Sequence, residues 1–282
     1  MYSLNNPVST FIGKNAMLKL ESITKNRTYV VISSPGYSTR GWGNYFSNPK
    51  YIIDSVTANP SIDDISKHIK TLNRINCDIL IGIGGGSVID TAKVLSVISK
   101  ESEKNIFDYF HGKKDCPSKN FKVVAIPTTA GTGAEATPFA TVWDEINKNK
   151  LSLFSSHIYP DYAIIDPTLT LTLDAEMTVI SALDALSHSF ESIWNKNSNT
   201  YTISLAITSI NAIIDNLELL LNDLKNVDLR LKMSWSSFMA GVCISTTKTA
   251  IAHSISYPLT SYLGIPHGLA SGIFLPEILN FN

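Results

Sequence analysis

The chain has little cysteine: three residues in 282, Cys77, Cys116 and Cys243. They are scattered and odd in number, with no metal-ligand spacing among them. That excludes a disulfide framework and a cysteine-built zinc module, and it fits a reducing compartment. Charge is also scarce, at 17% of residues with a net of −1, and no basic run stands out. Nucleic acid and an anionic membrane surface are therefore poor partners. No contiguous apolar run approaches the length of a bilayer span. The first residues, Met1-Tyr2-Ser3-Leu4-Asn5-Asn6-Pro7, lack the basic start and apolar block of a signal peptide. Repeats, low-complexity tracts and long linkers are missing too. What is there is a hydrophobic content of 44%, enough for a sizeable core. The expectation is a soluble, cytoplasmic protein of one large or two ordinary domains.

The first part alternates short apolar runs with amphipathic ones. Residues 29–33, 51–54, 79–83, 122–126 and 162–166 read as strands, several of them buried β-branched runs suited to a parallel sheet. Residues 62–75 carry apolar positions at Ile62, Ile65, Ile69 and Leu72, the spacing of a helix, and 87–99 read as a second helix. After Pro167 the strand signals fade. Helical periodicity takes over through 174–194, 202–224, 229–246 and 249–263. The expected architecture is an α/β domain with a parallel sheet over 1–167, followed by an all-α domain over 168–282.

Two stretches of the first part point to a ligand. In Gly82-Ile83-Gly84-Gly85-Gly86-Ser87-Val88-Ile89-Asp90 a buried strand runs through glycines into a helix. Glycine lets a ligand approach the backbone closely, and free amides at a helix start attract phosphate. The plainer alternative is a tight strand-to-helix turn. This is not the usual dinucleotide fingerprint, which follows the first strand. The second stretch, Pro127-Thr128-Thr129-Ala130-Gly131-Thr132-Gly133-Ala134-Glu135, again follows a buried strand. Ligands of such sheets lie at the carboxyl ends of the strands. Two polar, glycine-rich loops there suit one extended phosphate-bearing ligand, a dinucleotide or a sugar nucleotide, or else form a simple flexible loop.

The second part carries a different chemistry. In the helix over 174–194, Asp184 and His188 are four apart and share a face. A carboxylate and an imidazole one turn apart make two arms of a metal clamp, although such a pair is often just a local hydrogen bond. His253 and His267 follow in apolar, small-residue surroundings, where an unpaired imidazole is costly. One carboxylate and three imidazoles suit a divalent first-row metal with a position left open for substrate.

These stretches also carry a resemblance. Gly84-Gly85-Gly86-Ser87 with Asp90, the Pro-Thr-Thr-Ala-Gly-Thr-Gly-Ala-Glu block, residues 161–166, the Asp184/His188 helix, His253 and Pro266-His267-Gly268 occur in the order found in the iron-containing (group III) alcohol dehydrogenases. The chain resembles that family over almost its whole length. The resemblance implies a dehydroquinate synthase-like two-domain architecture, with a dinucleotide-binding α/β domain facing a helical metal-binding domain. It implies Fe²⁺, or a substitute such as Zn²⁺, on Asp184, His188, His253 and His267. It places the cofactor's diphosphate on Gly85, Gly86 and Ser87, its adenine and ribose side against Thr128, Thr129 and Thr132, the nicotinamide ribose near Lys150, and the cofactor near Asn59. It also implies a small-molecule aldehyde or alcohol as substrate and a homo-oligomer, a dimer, as the assembly.

Two departures matter. Family members that prefer NAD often have an aspartate after the first strand; here Ser33-Ser34-Pro35-Gly36 stands there and Arg40 follows, which favours NADPH. The resemblance also predicts roughly 100 further helical residues, so the chain reads as truncated, its closing helices missing. Residues 139–144, 194–199 and 247–258 resemble the branch that reduces phosphonoacetaldehyde to 2-hydroxyethylphosphonate. Lys248, with hydroxyl donors nearby, is the candidate for holding a phosphonate, or else a solvated surface charge. The competing functions are a general iron-dependent alcohol dehydrogenase for short-chain aldehydes, a dehydroquinate synthase-like lyase, and an inactive, truncated nucleotide-binding relative.

Overall fold

The computed structural model describes residues 6–98 and 106–282. Its first part is a six-stranded parallel sheet in the order β1-β8-β5-β4-β2-β3. The strands are β1 Ser9–Ile12, β2 Tyr29–Ser33, β3 Tyr51–Ile53, β4 Ile79–Gly84, β5 Lys122–Pro127 and β8 Tyr162–Ile165. A two-stranded antiparallel hairpin, β6 Phe139–Asp144 and β7 Asn149–Phe154, stands beside it. Helices α1 Lys19–Thr24, α2 Ile62–Leu72, α3 Gly86–Ile98 and α4 Ile106–Phe110 accompany the strands. The expected strands are present with their ends moved by a residue or so. Strand β1 and the hairpin are additions that the sequence reading did not name. The last residue of the expected 87–99 helix lies outside the described residues.

The sheet is buried on both faces because its strands alternate apolar side chains between two cores. Val30, Ile32, Leu80 and Val123 join Ile65, Ile69, Leu95 and the hairpin's Val142 on one face. Val31, Ile79, Ile81, Val124 and Ile164 join Met17, Leu20 and Trp42 on the other. Each fully buried isoleucine contributes about 1.5–3 kcal/mol by leaving water. Strand β2 has β3 on one side and β4 on the other, so the chain leaves β2 and β4 in opposite directions. The crevice at their carboxyl ends is the switch point where such sheets bind ligands. Ser33 Oγ ties the two ends by donating to Ile83 O at 2.9 Å.

From residue 175 on, every regular element is helical: α5 Ala175–Trp194, α6 Thr200–Asn222, α7 Val227–Thr247, α8 Ile251–Leu263, α9 His267–Gly272 and α10 Leu275–Phe281. Asp174 caps α5 by accepting from Met177 N at 2.8 Å. Asn199 caps α6 in a reciprocal box with Thr202. Helix α5 is the hub of this part. Its Ser189 Oγ donates to Ser209 Oγ of α6, and its Ser192 hydroxyl meets that of Thr247 at the end of α7. Such small residues let the helices approach closely. Buried Arg230 of α7 donates to Thr178 Oγ1 of α5 and to the carbonyls of Leu173 and Leu224, fixing the start of α5. Counting only contiguous apolar runs passed over α6: by length and composition it alone among the described helices could cross a membrane. It lies against α5 and α7 through Ala206, Ile210, Ile213 and Leu220, while Ile207, Ile214 and Leu219 face outward.

Candidate metal and dinucleotide cleft

The glycines of the first ligand stretch divide their labour. A side-chain carbon on Gly82 would sit 3.2 Å from Ala92 Cβ, and one on Gly84 would sit 2.6 Å from Val88 Cγ2. Both are therefore small so that α3 can pack on β4. Gly85 has only ordinary contact to Thr129, at 3.5 Å, and faces the crevice. A side chain on Gly86 would run into Thr132, 2.7 Å away, so this position is closed by the neighbouring loop before any ligand arrives. The structure thus brings Gly85, Gly86 and Ser87 together with Thr129 and Thr132. Thr128 joins them through its N–H, which donates to Gly84 O at 2.9 Å. Asn59, in a left-handed backbone conformation, donates its N–H to Ser87 Oγ at 3.2 Å.

Beneath these loops lies a buried charge network. Lys93 of α3 is fully buried; its Nζ donates to Ala134 O at 2.9 Å and Thr137 Oγ1 at 3.2 Å, and lies 3.4 Å from Asp90 Oδ1. Asp90 Oδ2 accepts from Thr141 N of β6. Burial pushes the nearby Glu135 carboxyl up to about 7, against its own backbone hydrogen bond and Lys93. The glycines of the second stretch have their own task. A side chain on Gly131 would meet Ser181 of α5, and one on Gly133 would overlap Gly241 of α7. This loop docks the sheet part on the helices, a role the sequence reading, which weighed a ligand loop against a simple flexible one, did not name.

The helical side of the cleft is built from buried titratable groups. Asp184, His188 and His253 converge so that one ligand atom from each lies within 4.8 Å of the others. Asp184 Oδ1 is 3.8 Å from His188 Nε2 and 3.6 Å from His253 Nε2. The His188 and His253 rings stack at 4.5 Å, and His267 meets His253 edge-on at 5.3 Å. His267 stands next to the compact trio, its Nδ1 3.3 Å from Ser256 Oγ. It reaches this place because α9 presses on α5: a side chain on Gly268 would overlap the Ile180 carbonyl, and one on Gly272 would sit 2.9 Å from Leu183 Cβ. Sequence reasoning passed over Glu191, one turn beyond His188. Fully buried, it accepts from His253 N at 3.1 Å and faces His253 Nδ1 at 2.5 Å.

The electrostatics suit a cation. Burial alone would raise the Asp184 carboxyl, but His188, His253 and His267 hold it well below the usual carboxylate range. Burial pushes His188 down to about 4 and His267 well below its ordinary value, the latter helped by Lys150. Burial alone would lower His253, but Asp184 and Glu191 outweigh it and raise the ring above its ordinary value. An ionised Asp184 beside neutral His188 and His267 is the protonation state a divalent metal requires of those groups. Asp184 Oδ1 and His253 Nε2 are buried with no hydrogen-bond partner among the described residues, a costly arrangement unless an ion completes it.

Two lysines border the cleft. Lys150 of β7 places Nζ 4.3 Å from the centre of the Tyr257 ring, which itself stacks on His267. Burial pushes its amine down to about 8, with Asp184 and Asp90 pulling it back up. Lys248 is exposed at the end of α7, with a left-handed φ of 65° and Nζ 4.5 Å from the Phe154 ring centre. The structure does not bring Lys248 into the buried trio.

A glycine-walled crevice on a parallel sheet, facing a buried carboxylate–imidazole cluster, defines a metal-dependent dehydrogenase layout. Residues 7–167 match the family model for iron-containing alcohol dehydrogenase, and residues 178–282 match that for the C-terminal part of the Fe-containing alcohol dehydrogenase family. The chain belongs to the iron-containing alcohol dehydrogenase family. It is 30% identical to the phosphonoacetaldehyde reductase of Streptomyces viridochromogenes, across 89% of this chain and 66% of that protein. It is 27% identical to alcohol dehydrogenase 4 of Saccharomyces cerevisiae, across 98% of this chain and 74% of that one. Among solved structures, the sulfoacetaldehyde reductase from Bifidobacterium kashiwanohense in complex with NAD+ superposes with a TM-score of 0.95 at 26% identity, covering all of this chain and 77% of that chain. The chain thus spans about two thirds to three quarters of the length of these relatives.

Proposed function

We propose that the chain supplies the catalytic cleft of a metal-dependent NAD(P)H oxidoreductase interconverting a small aldehyde and its primary alcohol. The observation that carries this reading is the convergence of buried ligand atoms from Asp184, His188 and His253 within 4.8 Å, with Asp184 Oδ1 and His253 Nε2 lacking any other partner among the described residues. Asp184, His188 and His253, with His267 beside them, would hold Fe²⁺ or a substitute such as Zn²⁺. When bound, the metal supplies Lewis acidity at the carbonyl oxygen and the reduced dinucleotide supplies the hydride. The chain's own residues bind and orient. Gly85, Gly86 and Ser87 offer backbone amides at the start of α3 to the diphosphate. Thr128, Thr129 and Thr132 wall the adenine and ribose side, and Asn59 braces Ser87. Lys150, covered by Tyr257, stands between the two halves as the group nearest the nicotinamide ribose. The division between the two parts falls at Pro167.

The proposed substrate is phosphonoacetaldehyde, reduced to 2-hydroxyethylphosphonate. In support, two of the similar proteins are named for two-carbon aldehydes bearing a phosphonate or a sulfonate. Lys248 is the proposed anion contact. NADPH is the proposed reductant: Arg40 Nη1 donates to Ser34 Oγ at 3.1 Å beyond β2, where a carboxylate would repel a 2′-phosphate. The proposed assembly is a cytoplasmic homodimer, supported by β1 lying at the sheet edge and by the sparse cysteines. A second reading, a general short-chain alcohol dehydrogenase, is favoured by the exposure of Lys248 and its contact with Phe154. Anaerobic oxidation of NADPH by Fe²⁺-loaded protein, with phosphonoacetaldehyde beside propionaldehyde, separates the two. Preference for the phosphonate supports the first reading, and equal rates support the second.

A further inference from the structure

Three imidazoles surround Asp184, but their far nitrogens are held unequally. No side chain among the described residues meets His188 Nδ1, and that ring has a hydrogen bond to the backbone of Gly131. His267 Nδ1 meets a hydroxyl, Ser256 Oγ, at 3.3 Å. His253 Nδ1 alone faces a carboxylate, Glu191 Oε2 at 2.5 Å. Glu191 is fully buried, and its second oxygen, Oε1, accepts the backbone N–H of the same histidine at 3.1 Å. Both carboxylate oxygens thereby engage the same histidine, its ring and its main chain, and the backbone of Ala250 adds to the hold. The grip spans two helices, since Glu191 belongs to α5 and His253 to α8.

The consequences follow from hydrogen-bond chemistry. A carboxylate only accepts, so His253 Nδ1 must carry the proton. Nε2, the atom that points at Asp184 Oδ1 from 3.6 Å and is otherwise buried without a partner, is then the nitrogen whose lone pair an ion can take. A ring so held cannot rotate without breaking the bond to Glu191, and the backbone bond holds the start of α8 at the same time. Glu191 also adds a second negative charge to that of Asp184, which matches a divalent ion. Carboxylate–histidine–metal arrangements of this kind raise the basicity of the ligand nitrogen.

We infer that Glu191 is a positioning residue for the metal centre, setting the tautomer and orientation of His253 so that Nε2 faces the ion. This rests on the metal site proposed above. It concerns affinity for the metal and the identity of the protonated nitrogen, and it assigns Glu191 no contact with substrate or cofactor.

The test uses the whole chain, with Zn²⁺ and Co²⁺ as probes. In Glu191→Gln the amide must still accept from His253 N through its oxygen, so its NH₂ group faces Nδ1. That forces the proton onto Nε2, toward the ion. The expected result is a loss of Zn²⁺ affinity of about 10- to 100-fold in competition with a chelating dye, together with an altered Co²⁺ absorption spectrum. Thermal unfolding of the metal-free variant checks that the fold survives. Histidine ¹⁵N chemical shifts of the unmodified, Zn²⁺-loaded protein give a reading that needs no variant: His253 is expected to keep its proton on Nδ1. Metal-free unfolding close to that of the parent, with Zn²⁺ affinity unchanged within twofold, overturns the role of Glu191. So does a proton on Nε2 of His253 in the loaded parent. Failure of the unmodified protein to bind either ion overturns the metal site itself, and the role of Glu191 with it.

Discussion

The two sides of the cleft are built from opposite materials. On the sheet side the working surface is backbone, bared by glycine and lined with threonine hydroxyls. Charges there are sunk below the surface in Lys93 and Glu135, with Asp90 half-buried beside Lys93. On the helical side the working surface is itself made of titratable side chains, Asp184, His188 and His253, all buried, with His253 braced from behind by Glu191. A backbone site is sensitive to volume, because an added carbon has nowhere to go. A side-chain site is sensitive to charge and proton position, because its shape survives substitutions that destroy its chemistry. The family resemblance covers both sides, yet they should fail in different ways.

The sharpest break is expected at Asp184. Asp184→Asn keeps the volume and removes the anion, so divalent-ion affinity should fall by roughly 100-fold or more, exceeding an outer-shell change. Metal content after dialysis against Zn²⁺ reports it, and unchanged content would sink the ligand assignment. Next comes Gly133→Ala, a volume change where φ is +59° and the added carbon overlaps Gly241. It should destabilise by about 3 kcal/mol through overpacking and left-handed strain. The midpoint of urea unfolding measures this, and a shift under a third of that size would show that the two parts re-dock freely.

A paired substitution sharpens the contrast within the glycine loop. Gly86→Ala meets Thr132 and should lower stability as well as nucleotide affinity, whereas Gly85→Ala has room at 3.5 Å and should leave stability nearly unchanged. Equal unfolding midpoints for the two variants would remove the distinction. A smaller effect is expected from Glu135. Its folded-state pKa is raised from 4.5 to about 7, so the folded state holds the proton more tightly than the unfolded chain. That contribution is complete below about 4.5 and is lost as pH rises to about 7. Melting temperature should therefore decline over this window, and Glu135→Gln should flatten the decline. Identical pH profiles would show that another group governs it. The least change is expected from Lys248→Ala, because the side chain is exposed. A rise of about fivefold in KM for phosphonoacetaldehyde, with propionaldehyde kinetics unmoved, is the scale of an exposed ion pair; no rise leaves the general dehydrogenase reading.

Much of this was readable in the chain. The β-branched runs 29–33, 79–83 and 122–126 announce buried parallel strands because nothing else tolerates such density without alternation. The spacing of Asp184 and His188 puts them on one helical face whatever the fold. Strand β1 and the β6–β7 hairpin were passed over because four- and six-residue segments at an edge carry weak patterns, and tertiary pairing decides them. Glu191 was in view three residues after His188, but its value depends on His253, 62 residues away. The glycines at 84, 86, 131, 133 and 268 were legible as glycines, but the packing each permits was not, since what each lies against belongs to another element.

By itself, then, the sequence determined the order of strands and helices, the change of character at Pro167 and the residue types able to bind a metal and a dinucleotide. These depend on local periodicity and on the chemistry of single side chains. Only the tertiary structure decided that three donor atoms meet within 4.8 Å, that His253 is gripped by Glu191, and that Lys248 stays at the surface. Those facts depend on how closely α8 and α9 approach α5, and that distance is set by packing between segments far apart in the chain.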